Sequence, residues 1–180
     1  MPPVTPTKEA TEEPSVTIRP ATVEDVGLIL EMIRGLAEYE KLLHEVVADE
    51  DSLRRHLFGD TPRAEVVILC EGTGPGGEMG FALFFHNFST FLGQPGIYLE
   101  DLFVKPEARG KGYGQALLAH LAKLAVQRGC GRLDWGVLDW NEPAIGFYRR
   151  LGARMLDDWR FCRLTGEALV DLAKLADRVS

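Results

Sequence analysis

The amino-acid sequence predicts a mixed α/β (α+β) fold, a mostly antiparallel central sheet of six to seven strands with helices on both faces. Three observations predict it. Short apolar runs such as AEVVILCE (64–71) and GEMGFALFFH (77–86) have strand length and are bounded by Gly and Pro. Residues 23–39 and about 112–127 instead repeat apolar residues at helical spacing. In chain order the elements read β-α-α-β-β-β-α-β-α-β.

SVTIRP (15–20) alternates as a strand. Thr22, three residues before Asp25, is placed to cap the following helix, whose apolar face is Val26, Ile29, Leu30, Ile33, Leu36 and Ala37. Asp49 opens a shorter helical stretch, DEDSLRRHLF. GTGPGG turns strand 64–71 into strand 77–86, and GIYLEDLFV (96–104) is the next strand, closed by Pro106. A helix from Gly112 to Gln127 ends at Gly129, and RLDWGVL (132–138) returns to strand. EPAIGFYRRLG is a helix with Pro143 in its first turn and Gly152 past its end. RFCRLT (160–165) is a closing strand, and GEALVDLAKLADR is a C-terminal helix or turn.

The first fourteen residues, MPPVTPTKEATEEP, lack the apolar core of a signal peptide and read as a disordered tail. Residues 15–180 have the length of a single domain. No apolar run is long enough to span a bilayer, so no membrane role is expected. The net charge is −7, of which Lys8 against Glu9, Glu12 and Glu13 accounts for −2. An acidic body argues against nucleic acid as partner and suits cationic substrates. Cys70, Cys130 and Cys162 form no CxxC pair; Cys70 and Cys162 lie in apolar strand-like runs and are expected as buried thiols, and a reducing, cytoplasmic setting fits. His44, His56, His86 and His120 have no metal-ligand spacing, so no metal is expected.

The chemistry lies in EARGKGYGQALL (107–118), where three glycines run straight into a helix. Such a turn presents unpaired N–H groups and the positive end of a helix dipole to an anion, naturally a pyrophosphate. A P-loop would need Gly-Lys-Ser/Thr, which is absent. A Rossmann fingerprint would need glycine where Gln115 stands, and the elements before the loop are in the wrong order. The pattern Arg/Gln-x-x-Gly-x-Gly is met by Arg109, Gly112 and Gly114.

That turn, with YLEDLFVKPEARGKGYG before it and LDWNEPAIGFYRRLGA after it, resembles the GNAT family of N-acetyltransferases from about residue 16 to residue 172. The resemblance implies an acetyl-CoA enzyme. In it the turn Arg109, Gly110, Lys111, Gly112, Tyr113, Gly114 and Gln115 holds the pyrophosphate, with Lys111 a solvated neighbour. The backbone of Leu102, Phe103 and Val104 pairs with the pantetheine amides like an added strand, a mode that suits two amides in line. Asn141, Glu142, Pro143 and Ala144 complete the cofactor side. Tyr148 stands beside the sulfur as general acid, and the Val104 N–H donates to the oxyanion.

Acetylating an amine requires a neutral nitrogen, so a proton acceptor is needed. Strict alternation puts Tyr98, Glu100, Leu102 and Val104 on one strand face and Ile97, Leu99, Asp101 and Phe103 on the other. Glu100 and Asp101 then face the substrate together only if a bulge intervenes. Glu100 is the expected proton acceptor, while Asp101 either shares the site or pairs with a basic residue.

Within the family the chain looks most like the spermidine/spermine acetyltransferase group, through RPATVEDVGLILEMIRGLAEYEKL and WNEPAIGFYRRLGA, and closest to its thialysine branch. The polyamine branch has Asp-Pro where this chain has Ser89-Thr90; a carboxylate there would repel the carboxylate of an amino-acid substrate. The resemblance implies substrate contacts at Tyr39, Glu40, Ser89, Glu100, Asp134, Trp135 and Gly136, and a homodimer packed through C-terminal strands. Three alternatives stay open: a polyamine acetyltransferase, an acetyl-CoA-binding module without catalysis, and an acetyltransferase whose acceptor is a protein lysine.

Overall fold

Residues 15–72, 74 and 76–176 are described by the structure, a computed structural model, so the N-terminal tail lies outside them. By internal packing the chain forms two units, one ending at Gly136 and the other beginning at Val137. Among the described residues no helix is long and apolar enough to cross a membrane.

The first unit comprises β1 (Val16–Pro20), α1 (Val26–Tyr39), α2 (Glu50–Phe58), β2 (Glu65–Glu71), β3 (Glu78–Ser89), β4 (Gln94–Val104), α3 (Tyr113–Gln127) and β5 (Leu133–Trp135). The strands lie in the order β1-β2-β3-β4-β5, antiparallel except for the parallel last pair. Both expected caps form. Thr22 N–H donates to Asp25 at 2.7 Å, where Arg19 also forks onto the carboxylate, and Asp49 accepts from Ser52 N–H at 2.8 Å. One sheet face packs Val66, Ile68, Phe81, Leu83 and Phe103 against Ile29 and Met32 of α1 and Leu57 of α2. On the opposite face Ala82, Phe84, Ile97 and Leu99 are buried where α3 packs, with Leu117 and Leu121. Each of these large side chains contributes roughly 1.5–3 kcal/mol on burial.

The second unit holds α4 (Glu142–Arg150) and α5 (Gly166–Ala173). The sheet has five strands among the described residues, not the expected six to seven. The strand expected over 132–138 shrinks to Leu133–Trp135, because its pairing with β4 ends at Leu99 opposite Trp135. RFCRLT (160–165) forms no strand: it is exposed, with no strand edge among the described residues of its unit to pair with, and Cys162 is therefore exposed and not the buried thiol expected.

One irregularity positions the site. Leu83 of β3 stands opposite Asp101, but the next residue, Phe84, stands opposite Leu99, so Glu100 is the extra residue of a β-bulge. The bulge overturns strict alternation along β4. Gly96 and Tyr98 share the α1 face with Asp101 and Phe103, while Ile97 and Leu99 turn to the α3 face.

Candidate active site

After β4 the chain makes one short turn at Pro106–Ala108 and then the glycine turn. Gly110 and Gly112 have φ of +81° and +82°, a left-handed conformation that costs other residues about 1–2 kcal/mol. A Cβ at either position would meet nothing within 4 Å, so backbone shape, not crowding, calls for glycine. Gly112 is the N-cap of α3, which leaves the first N–H groups of the helix directed out of its end. Lys111 is not simply solvated: its Nζ reaches both oxygens of Glu71, at 2.9 and 3.0 Å. Lys111, and then the Tyr113 hydroxyl, hold the Glu71 carboxyl below the usual range. Tyr113 is buried, Gly114 half-buried and Gln115 exposed. Arg109 turns back from the loop, donating from Nε to the Val104 carbonyl at 3.2 Å and lying 4.8 Å from the centre of the Tyr39 ring.

The edge of β4 beside this turn is open. β5 pairs with Ile97, Tyr98 and Leu99 only, and from Glu100 through Val104 that edge has no strand among the described residues. The stretch Leu102–Val104 therefore lies along an unpaired strand edge leading to the glycine turn. Open edge and glycine cradle together fit the extended, amide-bearing arm and pyrophosphate of coenzyme A.

On the α1 face the acidic residues gather. Asp101 is half-buried, and no ion pair or hydrogen bond joins it to a basic residue among the described residues. Burial first, then the charges of Glu100 and Glu40, push its carboxyl up to about 6. Glu40, at the end of α1, is also raised by burial. Glu100, on the bulge, is exposed. Tyr98 shares this face, its ring 5.2 Å from Phe85, and Gly136 passes close to its hydroxyl. Tyr39 is exposed at the lip. Ser89 is instead buried in the β3–β4 turn, where its hydroxyl accepts from Leu92 N–H at 3.2 Å.

Asp134 stands beside Tyr98 in the β4–β5 pairing, and the half-buried Trp135 follows beside Leu99. Its Oδ2 accepts from Asn87 at 3.0 Å and from Arg132 Nε at 2.8 Å. Neither partner was singled out in the sequence. Asn87 lies 47 positions away and gives no local signal, but Arg132 stands just before β5, two positions from Asp134, where the period of a strand brings both to one face.

In the second unit, Asn141 is the buried N-cap of α4 and accepts from Ala144 N–H at 3.3 Å. Glu142 and Pro143 form the exposed first turn. Tyr148 lies on the buried stripe of α4 with Ile145, its ring 5.3 Å from that of Phe147.

The sequence profile of the acetyltransferase (GNAT) family matches residues 33–153, which contain the whole of β4, the glycine turn and α4. The chain belongs to this family. This acetyltransferase is 41% identical over 166 residues to a thialysine N-epsilon-acetyltransferase of Bos taurus, covering 88% of this chain and 97% of that one. It is 36% identical over 200 residues to an L-ornithine N5-acetyltransferase of Arabidopsis thaliana, covering 88% of each. Among solved structures, an integron cassette protein from the mobile metagenome of V. cholerae aligns with a TM-score of 0.71 and 30% identity, over 89% of this chain and 98% of that one. The acetyltransferase fold expected from the glycine turn is therefore present, and the chain is an acetyl-transferring enzyme.

Proposed function

We propose that this acetyltransferase transfers the acetyl group of acetyl-CoA to the terminal amine of a lysine-like amino acid, thialysine or a near relative. The observation that carries this reading is the convergence of Glu40, Glu100 and Asp101 beside the open edge of β4. The relatives named for thialysine and ornithine support the choice of amine. Acetyl-CoA supplies the acetyl thioester. Its pyrophosphate is assigned to the amides of the glycine turn and its pantetheine arm to Leu102–Val104, with Asn141–Ala144 and Tyr148 on the sulfur side.

The chain's own groups divide the remaining work. Glu40 and Asp101 hold the incoming ammonium. Asp101, its carboxyl raised to about 6, takes up its proton, and the exposed Glu100 passes the proton to water. Tyr148 donates to the departing sulfur. Two further properties belong to this reading. Cys70, Cys130 and Cys162 are free thiols, which supports a cytoplasmic, reducing setting. Trp159 and Phe161, 73% and 84% exposed in the second unit, support a homodimer that covers them.

Thiol release from acetyl-CoA, measured with thialysine, ornithine, lysine, spermidine and spermine side by side, tests the proposal. The amino acids are expected to turn over fastest. Faster spermidine or spermine would move the assignment to polyamines, and coenzyme A binding without thiol release from any amine would leave a binding module.

A further inference from the structure

Gly96 of β4 is a notch in the α1 face of the sheet. A Cβ there would stand 2.3 Å from Asn87 Oδ1 and 2.9 Å from Arg132 Cγ, so both side chains lie flat across the bare backbone. Asn87 Oδ1 is buried without a hydrogen-bond partner, while its Nδ2 donates to Asp134. An orphaned buried carbonyl is costly, and here it accompanies the one orientation in which the amide can hold Asp134. The Arg132 stem crosses the same notch, and its Nε donates to the same carboxylate oxygen. Asp134 Oδ1 therefore remains for another donor. The outer edge of the Arg132 guanidinium has only a long 3.5 Å contact to the Phe88 carbonyl, and the side chain is 38% exposed.

A fixed carboxylate and a fixed guanidinium thus stand side by side on the face that carries Asp101. Asp134 is level with Tyr98, three residues along β4 from Asp101, or roughly 10 Å at the usual rise less the bulge. The five bonds from the terminal nitrogen of a lysine-like side chain to its α-carbon span roughly 6 Å. An acceptor whose terminal amine rests at Asp101 therefore brings its α-amino and α-carboxylate groups to Asp134 and Arg132.

Resting on the acetyltransferase reading above, we propose that Arg132 and Asp134, held by Asn87 over the Gly96 notch, form the subsite for the α-amino-acid end of the acceptor. Arg132 binds the carboxylate through its outer edge, and Asp134 Oδ1 accepts from the α-ammonium. A diamine of equal length has no anion for Arg132 and meets its positive charge instead, so the pair selects against diamines.

The test compares thialysine, its methyl ester and the diamine lacking the carboxylate as acceptors, in the wild type and in Arg132→Gln. In the wild type the KM of the ester and of the diamine should exceed that of thialysine by about tenfold or more, a difference of roughly one charge-assisted contact. Arg132→Gln should raise the thialysine KM by a similar factor and collapse its advantage over the ester. Arg132→Lys, which keeps the charge and loses the fork, should keep part of that advantage. Equal KM for thialysine and ester in the wild type overturns the subsite even if no variant folds. So does an undiminished preference for thialysine in Arg132→Gln. Either result leaves the acetyltransferase reading standing. A wild-type enzyme that releases thiol with no amine overturns both.

Discussion

The Arg109 guanidinium stacks 4.8 Å from the centre of the Tyr39 ring while its Nε holds the Val104 carbonyl. One side chain thereby joins the glycine turn, the end of β4 and the end of α1. The surfaces proposed above for the cofactor and for the amine share this clamp. Tyr39→Leu is expected to raise the KM for acetyl-CoA as well as for the amine, by about two- to tenfold, from a cation–π contact worth about 0.5–1 kcal/mol or somewhat more. An effect on the amine KM alone would show that the two sides are independent.

Gly112→Ala isolates the backbone requirement, because the added methyl group meets nothing. The expected cost is about 1–2 kcal/mol, with Gly112→Asn milder because asparagine tolerates the left-handed region. The KM for acetyl-CoA should rise in parallel as the turn relaxes. Calorimetric melting and initial rates read both; an unchanged Tm would show that the φ of +82° is not needed.

Asp101 couples stability to pH with a definite sign. Its carboxyl is raised from 3.8 to about 6, so between those values the folded chain binds a proton that the unfolded chain has lost. Stability then falls as pH rises through that window and stays lower above it, by about 2 kcal/mol after allowing for partial exposure. Asp101→Asn should melt several degrees higher than wild type at pH 7.5 and equally at pH 3.5. Its turnover should be largely lost, whereas wild-type kcat/KM climbs as pH passes about 6. A variant no more stable at pH 7.5 would show that burial of this carboxylate carries no penalty.

Tyr148→Phe tests the donor to the leaving sulfur. A loss in kcat of about a hundredfold with little change in either KM is expected for removal of a general acid. An acetyl donor with a more acidic thiol needs less help and should recover much of the loss. Equal losses with both donors would assign Tyr148 to packing along α4.

Phe161→Asp tests the proposed homodimer. Light scattering after gel filtration should show a dimer for the wild type and a monomer for the variant, since a charge cannot be buried unpaired in an apolar interface. A monomeric wild type would leave Trp159 and Phe161 exposed in solution as well.

The helices and central strands were legible because their signals are local. Thr22 and Asp49 marked helix starts, Gly129 and Gly152 marked stops, and the triple-glycine turn sits where its spacing placed it. The closing strand was not legible, because RFCRLT has strand-like composition and whether it pairs depends on an edge elsewhere. In the site, Glu40 and Glu100 were readable from the segments that carry them. The facing of Tyr98 was not, since period-two reasoning fails at a bulge that depends on the partner strand. The turn bond of Ser89 was hidden for a similar reason: its hydroxyl accepts from Leu92 N–H in a hairpin whose geometry only the fold discloses.

The surplus residue in β4 has a consequence for how this sheet could evolve. Excising Glu100 would bring Leu99 directly next to Asp101, and an uninterrupted ladder would result with every remaining side chain still on its present side. The hydrophobic interior would be none the worse. Glu100 is thus a residue whose removal leaves both packed faces of the strand as they are, so its deletion separates what the carboxylate does from what the fold needs.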